Sequence, residues 1–339
     1  VLRVRSVVVS VVGIALLACA GIVVTGPALA ITQPAAVVEP ARGALPSDVF
    51  AGGLFVDPLS TASKEQARLA AAGDRSSAAL VEQISSQPTA IWLGDWLTPS
   101  QLTAKASAAL AEARASHTTA TFVTYAIPGR DCGGYSAGGL TDAGYLPWNA
   151  SVARALRGSH SVVIVEPDAV AMLTSPACAP YVSTRTGLLR SAVATLAVNG
   201  LTVYLDAGNS RWASPETLAP ILLASGVRLG RGIATNVANY NSTSDEIAFA
   251  ERISTLVGST HYVIDTSRNG ADRDDVAGWC NPVGAALGRN PAVADGHTGL
   301  DALLWIKPPG ASDGTCNGGP AAGSWWLGSA LSLVRGRTV

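Results

Sequence analysis

The chain has 339 residues, with 23 basic and 24 acidic side chains. Its formal net charge of −1 gives no electrostatic bias toward nucleic acid or anionic lipid. At 48% hydrophobic and 14% charged residues, it has ample apolar material for one large core. Lysine is scarce: Lys64, Lys105 and Lys307 are the only three.

Leu2-Arg3-Val4-Arg5 is a basic start, Val7 to Val24 is almost wholly apolar, and Ala28-Leu29-Ala30 has the small-x-small form of a cleavage site. Residues 1–30 therefore read as a signal peptide, and the protein as secreted, with no membrane association once the signal is removed. An uncleaved anchor is the alternative, since the run is just long enough to span a bilayer. Residues 31–46 are rich in Pro and Ala and read as an extended leader or wall tether. No further linker follows, so residues 47–339 are expected to form one catalytic barrel domain, and a monomer. Cys132, Cys178, Cys280 and Cys316 lie beyond the signal. Four cysteines in an exported chain favour two disulfides, with three connectivities open. His117, His160, His261 and His297 are scattered without metal-ligand spacing, so no metal and no cofactor are expected.

Short apolar runs then recur: Ala90–Leu93, Thr121–Tyr125, Val162–Val165, Thr202–Leu205, Gly232–Asn236, Tyr262–Ile264 and Leu303–Ile306. Each has the length and β-branched content of a buried parallel strand. Helical patterns lie between them. Thr98-Pro99 starts one over Ser100–Ser116, Ser183–Val198 ends at Asn199-Gly200, Ser214-Pro215-Glu216 opens a third, and Ser244–Val257 is a fourth. Strands alternating with helices at intervals of roughly 30 to 40 residues predict an α/β fold with right-handed crossovers. Seven units predict a closed or nearly closed parallel barrel. An open doubly wound sheet is the alternative, but no GxGxxG follows the first strand.

The strand ends carry the chemistry. Arg130-Asp131-Cys132 follows strand two, Glu166-Pro167-Asp168 strand three, Asp206 strand four, Asp265 strand six, and Lys307 with Asp313 strand seven. In an α/β barrel these converge on one face. Crowded carboxylates desolvate and repel one another, which raises at least one pKa and creates a general acid. A single acid there is often only a helix cap. Five acidic strand ends make a purely structural surface a poor explanation. Trp92, Trp212 and Trp279 fall near the same face and suit stacking on sugar rings, whereas Trp305 and Trp325-Trp326 suit packing. Carboxylates and aromatic platforms, without a phosphate loop or a nucleophilic Ser or Cys motif, match the needs of glycoside hydrolysis.

Two stretches carry a family resemblance: Tyr125 to Cys132 (YAIPGRDC) with the Gly-rich residues after it, and Val162 to Ala169 (VVIVEPDA). They resemble the signature motifs of glycoside hydrolase family 6, inverting β-1,4-glucanases that comprise endoglucanases and cellobiohydrolases. Further similarity runs through Tyr204–Gly208, Gly232–Asn236, Val263–Gly270, Trp279–Pro282 and Leu304–Lys307, so it spans roughly residues 50 to 335. The resemblance implies a distorted seven-stranded, TIM-like barrel and a β-glucan substrate. It implies Asp168 as general acid, Asp131 as the group that keeps its proton in place and helps activate water, and Asp313 as the other carboxylate proposed as base. Tyr125 would press on the cleaved sugar and Asp206 would lie near it. Lys307 would bind hydroxyls, Asn236 would belong to the substrate-binding set, and Trp92, Trp212 and Trp279 would be platforms. It further implies the pairs Cys132–Cys178 and Cys280–Cys316. Inversion implies carboxyl groups on the order of 6.5–9.5 Å apart.

Three positions depart from the family pattern. Ala311 stands where many relatives have Glu, Asn209 where they often have His, and Ala137 in the place of a Ser thought to relay water. They bear on subsite affinity and on the preferred glucan. They also keep two other readings open: a weakly active or inactive glycan-binding protein at the cell surface, or a hydrolase of a different β-glucan. The loop 314–323 is short and residues 131–168 hold no large insert, which predicts an open cleft and endo attack. The acceptor-like triplets Asn149-Ala150-Ser151 and Asn241-Ser242-Thr243 read as chance matches.

Overall fold

Each of the seven apolar runs becomes a strand, because burial on both faces suits β-branched side chains that alternate inward and outward. In the computed structural model they are β1 (Ile91–Gly94), β2 (Thr121–Tyr125), β3 (Val162–Val165), β4 (Thr202–Asp206), β5 (Gly232–Thr235), β6 (His261–Asp265) and β8 (Leu300–Leu304). The structure describes residue 1 and residues 44–271, 276, 278–295 and 299–337. The expected signal peptide beyond Val1, with its Val7–Val24 run, and the leader up to residue 43 lie outside the described residues.

The sheet order is β1-β2-β3-β4-β5-β6-β8-β7, with the seven main strands parallel. Two features differ from the sequence reading. A short strand, β7 (Ala292–Val293), pairs antiparallel with β8 on its outer edge. The last parallel strand also ends at Leu304, before Trp305 and Ile306. Those two residues are apolar because they are buried, yet they have left the ladder to face β1. There the Trp305 carbonyl accepts the Ala90 N–H at 3.0 Å, and the Ile306 carbonyl accepts the Trp92 indole N–H at 2.8 Å. Among the described residues no strand ladder joins β1 to β8, so the curled sheet is nearly closed and has a seam.

The helices between the strands are α4 (Pro99–Ala115), α5 (Asp142–Leu156), α6 (Val182–Val198), α7 (Pro215–Ala224) and α8 (Thr243–Val257), with α9 (Leu327–Arg335) at the end. Side-chain caps set their starts. Thr98 accepts the Gln101 N–H and Gln101 reciprocates on the Thr98 N–H, while Ser214 and Ser242 cap α7 and α8. Among the described residues, three helices precede β1: α1 (Pro46–Val49), α2 (Thr61–Ala71) and α3 (Arg75–Ser85). Outward residues such as Val163, Val165 and Leu205 pack under the helices. Inward residues such as Val162, Ile164 and Tyr204 fill the barrel with Val49 and Phe50 of the α1 segment. Trp305 is buried in a third cluster with α3 and α9 residues. All these elements belong to one compact unit. Asn149 and Asn241 are 0% and 2% exposed, so neither triplet presents its Asn to a modifying enzyme.

A buried ion pair fixes the end of the barrel opposite the strand C-termini. Arg231, preceding β5, donates to both Asp301 carboxylate oxygens at 2.6 and 2.7 Å, and to the Ala44 carbonyl at 2.7 Å. Tyr204 donates to the same carboxylate at 2.5 Å. Removing the acid would leave a guanidinium inside the protein without its counter-charge. Asp301→Ala is expected to cost about 3–5 kcal/mol of folding stability, measured by denaturant unfolding; a loss under about 1 kcal/mol would show that the pair is dispensable.

Candidate active site

The strand ends after β2, β3 and β5 bend through left-handed backbone at non-glycine residues: Asp131 (φ 58°), Cys132 (φ 46°), Glu166 (φ 50°), Asp168 (φ 72°) and Asn236 (φ 62°). Such conformations cost energy and persist only where surrounding bonds enforce them. The disulfide Cys132–Cys178 ties down the Asp131 loop, and Cys280–Cys316 does the same for the loops carrying Trp279 and Asp313.

The acids divide into two groups. Three are buried bolts. Glu166 accepts the Ala126 N–H at 2.9 Å, the Ile127 N–H at 3.0 Å and the Tyr145 hydroxyl at 3.1 Å, and burial pushes its carboxyl up to about 7. Asp206 accepts the N–H groups of Asp168 and Gly208, both at 2.9 Å. Burial, then the charge of Asp168, pushes Asp206 well above the usual carboxylate range. Asp265 accepts N–H groups from Ser267, Lys307, Ala238 and Ile306. None of these three lines the cleft. Asn236 is also fully buried, with its amide bonded to the Asn241 and Asp265 carbonyls.

Asp131, Asp168 and Asp313 do face the cleft, a cavity of about 1100 Å³. Burial pushes Asp168 up to about 7, and the charges of Asp131 and Asp313 add to the effect while Lys307 opposes it. Asp131 accepts from the Ser136 N–H at 2.7 Å and its hydroxyl at 2.9 Å, and that hydroxyl lies 2.9 Å from the Tyr125 hydroxyl. A serine beside Ala137 thus links Tyr125 to Asp131. Asp313 is held differently. Burial alone would raise its pKa, but Arg268 and Lys307 win and hold the carboxyl well below its usual range. Arg268 donates to it at 3.0 Å, Lys307 lies 3.3 Å away, and Tyr240 and the Asn281 N–H each donate at 3.0 Å.

Trp92, Trp212 and Trp279 line the cleft with Tyr125 and Lys307, and Trp325 adds a wall while packing against the core. Trp96 and Tyr135 also line it, half-exposed, and the sequence reading passed over both. Trp96 lies two residues beyond β1, so its place after a strand was the available signal. Arg130 was missed as an organiser. Its guanidinium sits 4.6 Å from the Tyr125 ring centre, donates to the Tyr125 and Ser136 carbonyls, and pairs with Asp95. Asp95 in turn accepts the Gly139 N–H at 2.9 Å; a Cβ at Gly139 (φ 98°) would collide with the Ile127 carbonyl.

A parallel barrel whose C-terminal rim holds carboxylates of opposed proton affinity, in a trench walled by tryptophans, has the parts that glycoside hydrolysis requires. The chain belongs to the glycosyl hydrolases family 6, whose sequence profile matches residues 51–337. It is 42% identical to endoglucanase A of Cellulomonas fimi, covering 84% of this chain and 61% of that protein. It is 34% identical to endoglucanase 1 of Streptomyces halstedii, covering 89% and 94% respectively. The chain thus spans about three-fifths of the first relative and nearly all of the second. The endoglucanase Cel6 of Mycobacterium tuberculosis, solved with a methyl-cellobiosyl-4-deoxy-4-thio-β-D-cellobioside, is 39% identical. It aligns with a TM-score of 0.75 over 84% of this chain and 96% of that one.

Because Glu166 has a folded pKa of about 7, above its unfolded value, its stabilising contribution is complete in acid and lost as pH rises through about 7. Unfolding free energy should fall between pH 5 and 8 by less in Glu166→Gln than in the unsubstituted protein, read by denaturant melts at both values. Identical falls would remove Glu166 from the account.

Proposed function

We propose that the protein is a secreted, inverting endo-β-1,4-glucanase whose catalytic domain is residues 47–339, acting as a monomer on cellulose or a related β-glucan. The observation that carries this reading is the division of labour among the cleft carboxyls. Asp168 keeps a proton up to about pH 7, while Asp313 is pinned as an anion between two cations. A general acid needs a pKa near the working pH. Asp168 therefore protonates the leaving glycosidic oxygen as the bond to the anomeric carbon breaks. Water attacks that carbon from the opposite face and passes its proton toward the Asp131–Ser136 pair. The negative charge of Asp131 also disfavours early ionisation of Asp168. Asp313, already satisfied by four donors, is a weak base; it fixes Lys307 beside the Trp92 ring, 5.9 Å from its centre. Trp92, Trp96, Trp212 and Trp279 supply the sugar platforms, and Tyr125 presses on the ring to be cleaved.

The buried residues the family resemblance named act indirectly in this scheme. Asp206 sets the Asp168 backbone, and Asn236 sets the loop that carries Tyr240. The binding-only alternative lacks support in the site, since all three cleft carboxyls and the raised Asp168 pKa are in place.

Reducing-sugar release from soluble β-1,4-glucan is expected to fall by roughly 10²–10⁴-fold in Asp168→Asn. Rates for the unsubstituted protein should decline as pH rises through about 7, where Asp168 loses its proton. Equal activity in both proteins would remove Asp168 as the acid. Endo attack predicts rapid viscosity loss with few new reducing ends, and exclusive cellobiose release would overturn it.

A further inference from the structure

All three lysines of the chain line the one cleft, although arginine dominates everywhere else. Lys307 belongs to the centre, against Asp313. The other two lie beyond Trp92. Lys105, on α4, donates to the Trp92 carbonyl at 3.1 Å, and Lys64 projects from α2. Asp57 shares this end of the cavity and accepts the Leu59 N–H at 2.8 Å.

The neighbouring acids are committed elsewhere. Glu65 holds Arg68 through two bonds of 2.8 Å, and Asp95 holds Arg130 and the Gly139 N–H. Among the described residues no ion pair engages Lys64 or Lys105. Asp57 and Lys64 both lie close enough for their charges to act on Lys105. Two ammonium groups and one carboxylate therefore line this part of the cavity, a net positive charge beside Trp92. A neutral glucose unit could hydrogen-bond there but would leave the like charges unrelieved, whereas a carboxylate on the sugar neutralises them.

We propose that the cleft beyond Trp92 is a recognition site for an anionic substituent on the glucan, with Lys64 and Lys105 as its counter-charges. This rests on glucan cleavage in the same cleft and adds a substrate class to it: β-1,4-glucans bearing acidic groups.

The test compares hydrolysis of carboxymethyl cellulose and of hydroxyethyl cellulose, matched in chain length and degree of substitution, by the whole protein and by the Lys64→Met/Lys105→Met double variant. At low ionic strength, kcat/KM on the carboxymethyl polymer should fall by roughly three- to tenfold, mainly through KM. The hydroxyethyl rate should stay within about twofold. Arginine at both positions should restore the preference, and about 0.5 M salt should erase it in the unsubstituted protein. Equal losses on both polymers, or none on either, would overturn the proposal. Absence of hydroxyethyl cellulose hydrolysis by the unsubstituted protein would instead refute the glucanase reading. In that case affinity electrophoresis in carboxymethyl cellulose decides the charge site separately, since retardation must be lost in the double variant.

Discussion

Three carboxylates that never reach the cleft hold its shape. Where parallel strands end inside a barrel, the chain must turn away while its N–H groups are still shielded from water, and each unpaired donor is costly. Glu166, Asp206 and Asp265 answer this by accepting those donors. Asp265 takes four, two of them from Ile306 and Lys307 after they have left β8. Asp206 takes the Asp168 N–H and so holds that residue at φ 72°. Glu166 takes two N–H groups from the start of the loop that leads to Asp131. The strained backbone at the rim is affordable only because these buried acceptors over-determine it.

The same burial sets the chemistry. A carboxyl removed from water resists ionisation unless cations stand beside it, and the cleft contains both cases within one cavity. Asp313 has Arg268 and Lys307 at contact distance and stays charged. Asp168 has Asp131 and Asp313 as neighbours and keeps its proton to about pH 7. Lys307 links the two ends, since its charge lowers both pKa values while its ammonium stays on Asp313. An acid that holds its proton near neutrality thus follows from which acids are given cations.

Strand positions were legible because β-branched runs buried on both faces have no other use, and helix starts because Thr98, Ser214 and Ser242 are strong caps. The acidic strand ends were legible as a group but not individually. Glu166 and Asp168 are two residues apart, yet one turns inward to backbone donors and the other to the cleft, and left-handed residues between strand and loop break the alternation that would have distinguished them. Trp305 and Ile306 read as strand for the same reason the real strands did, since burial, rather than pairing, makes a run apolar. Trp96 stands at a strand end, where its position could have flagged it, whereas Arg130 escaped because its role depends on contacts across the fold. Arg130 joins Asp95, just after β1, to Tyr125 of β2, a relation with no trace in local spacing.

The seam between β1 and β8 connects these observations. A ladder there would have closed the barrel. Instead β8 stops at Leu304, its continuation meets β1 through the Ala90–Trp305 bond, and Trp92 is anchored by its indole to Ile306. Trp92 lines the cavity together with Lys64 of α2 and Lys105 of α4. The departure from barrel closure, where Trp305 and Ile306 leave the sheet, thus lies directly beside Trp92 in the wall of the cleft.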